Sequence, residues 1–259
     1  MNIGGLQKFS LLDYPGYLAA IVFTQGCNFR CPFCYNPMLV RPLKADKLKD
    51  NNSSHQGKSE KDYSYTRLQR YAQYCGQVSE DDLFLFLKAR QGKLDGIVIT
   101  GGEPTIQADL VKFCERVKSF SFLIKLDTNG TNPEMLKELI NKKLIDYIAM
   151  DIKAPENKYK KVSGVTINFK NIKKSVKIII ESKLPYEFRT TVTPGLLDKD
   201  DIAQIGELIK DAKSWYLQKF RGGKDLVDKK YQGVKAYTDK EMREMQVIGR
   251  QYVKKCEIR

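Results

Sequence analysis

Hydrophobic positions along the chain alternate between two patterns. Short apolar runs at 19–23, 97–100, 122–126, 147–150, 186–192 and 215–217 are rich in β-branched or aromatic residues, and each is short enough for a buried parallel strand. The longer stretches between them carry apolar residues at helical spacing. Ser79 precedes Glu80, Asp81 and Asp82, a cap with an acidic first turn, and Leu83, Phe86 and Leu87 come next. Asn132-Pro133 is a second start, with Leu136, Leu139, Ile140 and Leu144 behind it. Segments 169–183 and 200–212 read the same way, and 239–253 predicts a last helix. Six strands with intervening helices predict an α/β fold with a parallel sheet and right-handed crossovers, either doubly wound or a partial barrel.

The residues just after the strands favour the barrel. Gly26-Cys27 succeeds the first run, Gly101-Gly102-Glu103-Pro104 the second, Asp127-Thr128-Asn129-Gly130 the third and Asp151-Ile152-Lys153 the fourth, while Arg189-Thr190-Thr191 lies in the fifth. Charged and glycine-rich groups thus gather where several strands end, as in barrel enzymes; a doubly wound sheet would concentrate them at one switch point. We read 1–259 as a single domain with a helical extension at about 221–259 and a polar, Lys-rich insertion at 44–77. The first half of the insertion reads as loop or disorder, and its second half has Leu68, Tyr71, Ala72 and Cys75 at helical spacing. Its basic residues and tyrosines fit a solvated flap better than a nucleic-acid contact.

Composition narrows the chemistry. Lys and Arg number 45 against 31 Asp and Glu, a net charge of +14, which suits an acidic redox donor or partner face but fits a Lys-rich solvated surface better. The single histidine, His55, sits in a polar stretch, so His-based metal sites and a Ser-His-Asp triad are excluded. No run approaches the roughly 18 apolar residues of a membrane span, and the start lacks the basic-then-apolar order of a signal peptide. The expectation is a cytoplasmic protein without membrane contact, in which six cysteines do not form a disulfide framework.

Three of the six form Cys27-x3-Cys31-x2-Cys34 directly after the first strand, a spacing that chance would give in roughly three per thousand chains of this cysteine content. Cys114, Cys256 and Cys75 read as small buried hydrophobes. Structural zinc needs a fourth ligand and none lies nearby. A four-iron cluster held by three thiolates keeps one iron open for chemistry. Gly101-Gly102-Glu103 allows close backbone approach and offers a carboxylate for an ammonium group, and Asp127, Asp151 and Lys153 add polar contacts at the same barrel end.

Cys-x3-Cys-x2-Cys with a later Gly-Gly-Glu-Pro resembles the radical S-adenosylmethionine (radical SAM) superfamily. Residues 4–10 and 13–16, Cys34-Tyr35-Asn36-Pro37, 126–130, 150–155, 188–191 and 217–220 further resemble the glycyl radical activating enzymes, in particular activators of anaerobic ribonucleoside-triphosphate reductase. The resemblance fails in 44–77 and weakens after Arg221, and Tyr35 stands where many activating enzymes carry His.

The resemblance implies a partial (β/α)6 barrel and a 4Fe-4S cluster ligated by Cys27, Cys31 and Cys34, with S-adenosylmethionine on the fourth iron. Gly101, Gly102 and Glu103 would hold its amino group and Asn36 its nucleoside. Asp127, Thr128 and Asp151 match positions that bind a monovalent cation beside the cofactor carboxylate, with Lys153 near that carboxylate, and Arg189 would face the nucleoside or the incoming peptide. The implied reaction is reductive cleavage to methionine and a 5′-deoxyadenosyl radical, which takes the Cα hydrogen of a glycine in a partner enzyme, with a flavodoxin or ferredoxin type electron donor. Within the class, the alternatives are an activator of the pyruvate formate-lyase type and a small-molecule enzyme such as a deazapurine synthase. Outside it, they are a zinc-binding nucleic-acid module, disfavoured by dispersed basic residues and an incomplete ligand set, and a passive electron carrier.

Overall fold

The computed structural model describes residues 1–40, 78–223 and 226–259. The expectations for 44–77, with Cys75 and His55, lie outside the described residues. The six apolar runs form strands β2 (Ala19–Thr24), β3 (Gly96–Gly101), β4 (Leu123–Thr128), β5 (Tyr147–Asp151), β6 (Tyr186–Val192) and β7 (Trp215–Lys219). Two further strands flank them. β1 (Ile3–Ser10) pairs antiparallel with β2, and β8 (Cys256–Ile258) pairs parallel with β7. Among the described residues the strands make one eight-stranded sheet in the order β1 to β8, parallel from β2 onward.

Helices α1 (Pro37–Val40), α2 (Glu80–Lys88), α3 (Leu110–Lys118), α4 (Pro133–Asn141), α5 (Tyr159–Ser163), α6 (Phe169–Glu181), α7 (Lys199–Leu208) and α8 (Asp239–Gly249) occupy the crossovers and the segment before β8. The caps read from the sequence are present: Ser79 Oγ accepts from Asp82 N, and Asn132 accepts from Met135 N. The segment expected as a helical extension does carry α8, but it ends in β8, whose three residues are too few to show a period.

Alternation along the strands sorts the sheet into two faces. Ala20, Val22, Ile97, Ile99, Ile124, Leu126, Ile148, Met150 and Phe188 join one core with helix residues such as Leu83, Phe113, Leu136 and Ile172. Ala19, Ile21, Phe23 and Val98 form a separate cluster on the opposite face with Tyr14, and Tyr147 packs against it. Register places Lys125 beside Val98 and Tyr147, Asp127 beside Ala149, and Asp151 beside Arg189 on this inner face. The interior therefore has an apolar wall from β2 and β3 and a charged wall from β4 to β6, unlike a closed barrel filled by aliphatic layers.

Candidate active site at the carboxyl ends of the strands

The cysteine loop leaves β2 and is tied to the turn after β3. Gly102 N donates to Thr24 O at 2.8 Å, Glu103 N to Gly26 O at 2.8 Å, and Gly26 N to Leu39 O at 2.8 Å. Gly101 has φ +114°, and a Cβ on Gly102 would lie 1.8 Å from Gly26 O. Only glycine permits this backbone-on-backbone contact. Further along the loop, Cys34 N donates to Cys31 O at 3.1 Å and Asp228 N to Pro32 O at 3.0 Å. The Arg30 guanidinium donates to the carbonyls of Cys27 (2.6 Å) and Phe29 (2.7 Å). A bridge missed from sequence joins the loop to the turn after β4: Asn129 Nδ2 donates to Asn28 Oδ1 and Asn28 Nδ2 to Thr131 Oγ1, both at 2.8 Å.

Cys31 is buried, and Cys27 and Cys34 are partly buried. Burial pushes Cys27 up to about 11 and Cys31 up to about 12, and it also raises Cys34. The Lys153 ammonium pulls all three the other way, and the Asn36 amide supports sulfur at Cys34. Such thiols stay protonated at neutral pH unless a metal stabilises the thiolates. Among the described residues no group of three or more His, Cys, Asp or Glu closes around a single metal ion. Three thiols on one loop are a donor set that suits an iron-sulfur cluster, in which each thiolate binds a different iron, whereas structural zinc calls for a fourth protein ligand.

Glu103 is buried and already well partnered. Its Oε1 accepts from Thr105 N (3.1 Å), Thr105 Oγ1 (2.6 Å) and Thr128 Oγ1 (2.7 Å), and its Oε2 accepts from Asn129 N at 2.7 Å. Burial raises its carboxyl despite these donors. It thus staples the β3 turn to the end of β4, and only Oε2 keeps capacity for an ammonium group. Thr128 is spent on the same staple.

Asp127, Asp151, Lys153 and Arg189 do come together, joined by Lys125. Lys125 Nζ donates to Asp127 Oδ1, Arg189 to Asp127 Oδ2 (3.1 Å) and Asp151 Oδ1 (2.8 Å), and Lys153 Nζ to Asp151 Oδ2 (2.9 Å). Each carboxylate oxygen faces a protein cation, so a monovalent cation here would have to share or displace one. The sequence hid Lys125 because it lies inside an apolar run; it is 2% exposed.

Burial alone would raise both aspartates, but Arg189 with Lys125 or Lys153 outweighs it and holds them below the usual carboxylate range. A depressed carboxyl contributes stability that is complete above its unfolded value, about 3.9, and is lost as pH falls through the folded value. The urea midpoint is therefore expected to hold from pH 7 to about 4 and fall steeply below, and Asp151→Asn should flatten that fall. An unchanged acid limb in Asp151→Asn would remove Asp151 from the balance.

Sequence comparison matches residues 21–212 to the radical SAM superfamily. The chain is 32% identical over 262 residues to a Methanocaldococcus jannaschii protein named for glycyl-radical enzyme activation, covering 99% of this chain and 95% of that one. It is 26% identical over 220 residues to the pyruvate formate-lyase-activating enzyme of Streptococcus mutans, covering 82% and 73%. Among solved structures, SuiB of Streptococcus suis superposes with a TM-score of 0.57 at 14% identity, covering 92% of this chain and 48% of SuiB. TYW1 with a lysine-pyruvate adduct gives 0.52 at 15% identity, covering 90% and 73%. These structural likenesses establish the partial barrel fold alone.

Proposed function

The chain belongs to the radical SAM superfamily, in its glycyl radical activating branch, and we propose on that premise that it generates a glycyl radical on a partner enzyme, the anaerobic ribonucleoside-triphosphate reductase. The observation that carries the reading is one buried and two partly buried thiols on one loop, beside a charged wall at the carboxyl ends of the strands. When bound, a 4Fe-4S cluster would supply the electron that splits S-adenosylmethionine into methionine and the radical that takes a glycine hydrogen. Cys27, Cys31 and Cys34 would hold three of its irons.

This chain's residues orient the cofactor and exclude water. Gly101 and Gly102 bring backbone close to the cysteine loop, where an amino group would meet Glu103 Oε2, and Asn36 lies on the cysteine loop side for the nucleoside. Lys153 and Arg189 offer positive charge to a carboxylate, Asp127 and Asp151 fix those cations in place, and Thr128 holds Glu103 beside them. A shared monovalent cation belongs to this same carboxylate site. Preset charge of this kind needs no rearrangement during reaction.

A groove of about 730 Å³ next to the cysteine loop, lined by Arg30, Lys161 and Lys229 with Asp228 among them, supports docking of an acidic flavodoxin or ferredoxin type donor. Among the described residues no helix is long and apolar enough to cross a membrane.

The similarity to pyruvate formate-lyase activators supports a second partner, a lyase of that type. Anaerobic mixing of reduced protein, S-adenosylmethionine and each candidate partner separates the two. A glycyl radical EPR signal is expected with the reductase; deoxyadenosine formation without that signal, or a signal with the lyase alone, would reject the reductase as partner.

A further inference from the structure

The cysteine loop, the turn after β3 and the turn after β4 are joined in a closed circuit. The first joint is backbone: Glu103 N donates to Gly26 O at 2.8 Å. The second is the Glu103 carboxylate, whose Oε2 accepts from Asn129 N and whose Oε1 accepts from Thr128 Oγ1, both at 2.7 Å. The third is a ring of three side chains. Asn129 Nδ2 donates to Asn28 Oδ1 (2.8 Å), Asn28 Nδ2 to Thr131 Oγ1 (2.8 Å), and Thr131 Oγ1 to Asn129 Oδ1 (2.7 Å). Each side chain in the ring both donates and accepts, so the bonds polarise one another.

The fold does not need this ring. Strand register alone sets β2 beside β3 and β3 beside β4. The turn after β4 is fixed independently, by Gly130 at φ +76°, by Ser175 Oγ donating to Gly130 O at 2.8 Å and by Asn132 capping α4. Asn28 is itself exposed and fills no space in the core. What the ring does fix is a distance. It holds the loop that carries the three cysteines against Asn129, whose backbone N–H holds Glu103 Oε2, the oxygen with capacity left for an ammonium group.

We propose that Asn28 and Thr131 are positioning residues for S-adenosylmethionine: their ring with Asn129 keeps the Glu103 carboxylate and the cysteine loop at the separation that the methionine end of the cofactor must span. The proposal rests on the reading above of Cys27, Cys31 and Cys34 as cluster ligands and of Glu103 as partner of the amino group. A ligand gripped by two separate elements binds tightly when they are set beforehand; otherwise binding must order them. Loss of the ring therefore weakens cofactor binding and leaves the thiols in place to take up iron and sulfide.

The test measures binding, not turnover. Full-length protein is reconstituted anaerobically with iron and sulfide, reduced and titrated with S-adenosylmethionine, and the change in the EPR spectrum of the cluster gives the half-saturating concentration. Asn28→Ala, and Thr131→Val, which keeps the side chain's shape, are each expected to raise that concentration about tenfold at wild-type iron and sulfide content. Thr131→Ser, which keeps the hydroxyl, is expected to stay within about twofold of wild type. Unchanged half-saturation in Asn28→Ala and Thr131→Val overturns the proposal. So does loss of iron and sulfide from Asn28→Ala, which would make the ring a scaffold for the thiols instead. A wild-type chain that takes up no iron and sulfide, or whose cluster does not respond to S-adenosylmethionine, overturns the cluster reading itself.

Discussion

Cys31→Ala is expected to yield a folded protein that makes deoxyadenosine only at background and keeps less than about a third of the wild-type iron and sulfide after anaerobic reconstitution. Cys31 is 7% exposed, and burial pushes its thiol up to about 12. Its thiolate at neutral pH therefore depends on coordination, and loading releases protons. With one thiolate gone, a second iron loses its protein ligand and the cluster loses its seat. The fold itself loses only a small side chain, costing on the order of 1 kcal/mol. Cys114→Ala is the matched control, because Cys114 lies in α3 packed in the helical core and carries no assigned chemistry. Iron content by metal analysis and deoxyadenosine by chromatography give the answer. Normal loading and cleavage in Cys31→Ala would eliminate the cysteine loop as the cluster site.

Arg189→Met is expected to destabilise the protein without metal by about 3–5 kcal/mol, because it leaves two carboxylates facing each other without their shared cation. The Arg189 side chain is 14% exposed, and its partners Asp127 and Asp151 are 13% and 26% exposed, so water screens the loss only in part. Lys125 and Lys153 each still hold one carboxylate oxygen, which keeps the cost from rising further. Urea unfolding at pH 7 should show a lower midpoint with an unchanged slope. Adding Asp127→Asn and Asp151→Asn to Arg189→Met should recover part of the loss, since the uncompensated charges disappear. Cofactor cleavage by the loaded single variant should drop on the order of 100-fold, as preset charge at the site is removed. A variant as stable as wild type would mean that the inner wall is solvated and the three-residue bridge contributes nothing.

The strands and helices that were legible in the sequence share one property: their core faces are long enough to show a period. β2 is buried at all six positions, and α4 and α6 carry clean helical stripes. β1 escaped because Gly4, Gly5 and Lys8 are poor strand formers. Gly4 is needed there, since a Cβ would sit 2.5 Å from the Leu39 side chain. The three cysteines were legible by spacing alone, and the inner-wall charges by their places at strand ends. Lys125 was not, because one charge in an apolar run looks like a tolerated exception until Asp127 is seen two residues along on the same face. Nor was the saturation of Glu103, which depends on donors from Thr105, Thr128 and Asn129 meeting across two turns.

Each strand of the sheet pairs only with its neighbours in sequence. That order makes the β2 to β3 joint a place where chain length can change at little thermodynamic cost. The pairing from Ala19 beside Gly96 to Thr24 beside Gly101 is set by the strands themselves. The closure entropy of the connection grows only logarithmically, by about 0.6 kcal/mol per doubling of its length. Sequence can therefore be gained or lost between Val40 and Val78 over evolutionary time while the cysteine loop, the glycine turn and the register between them stay fixed.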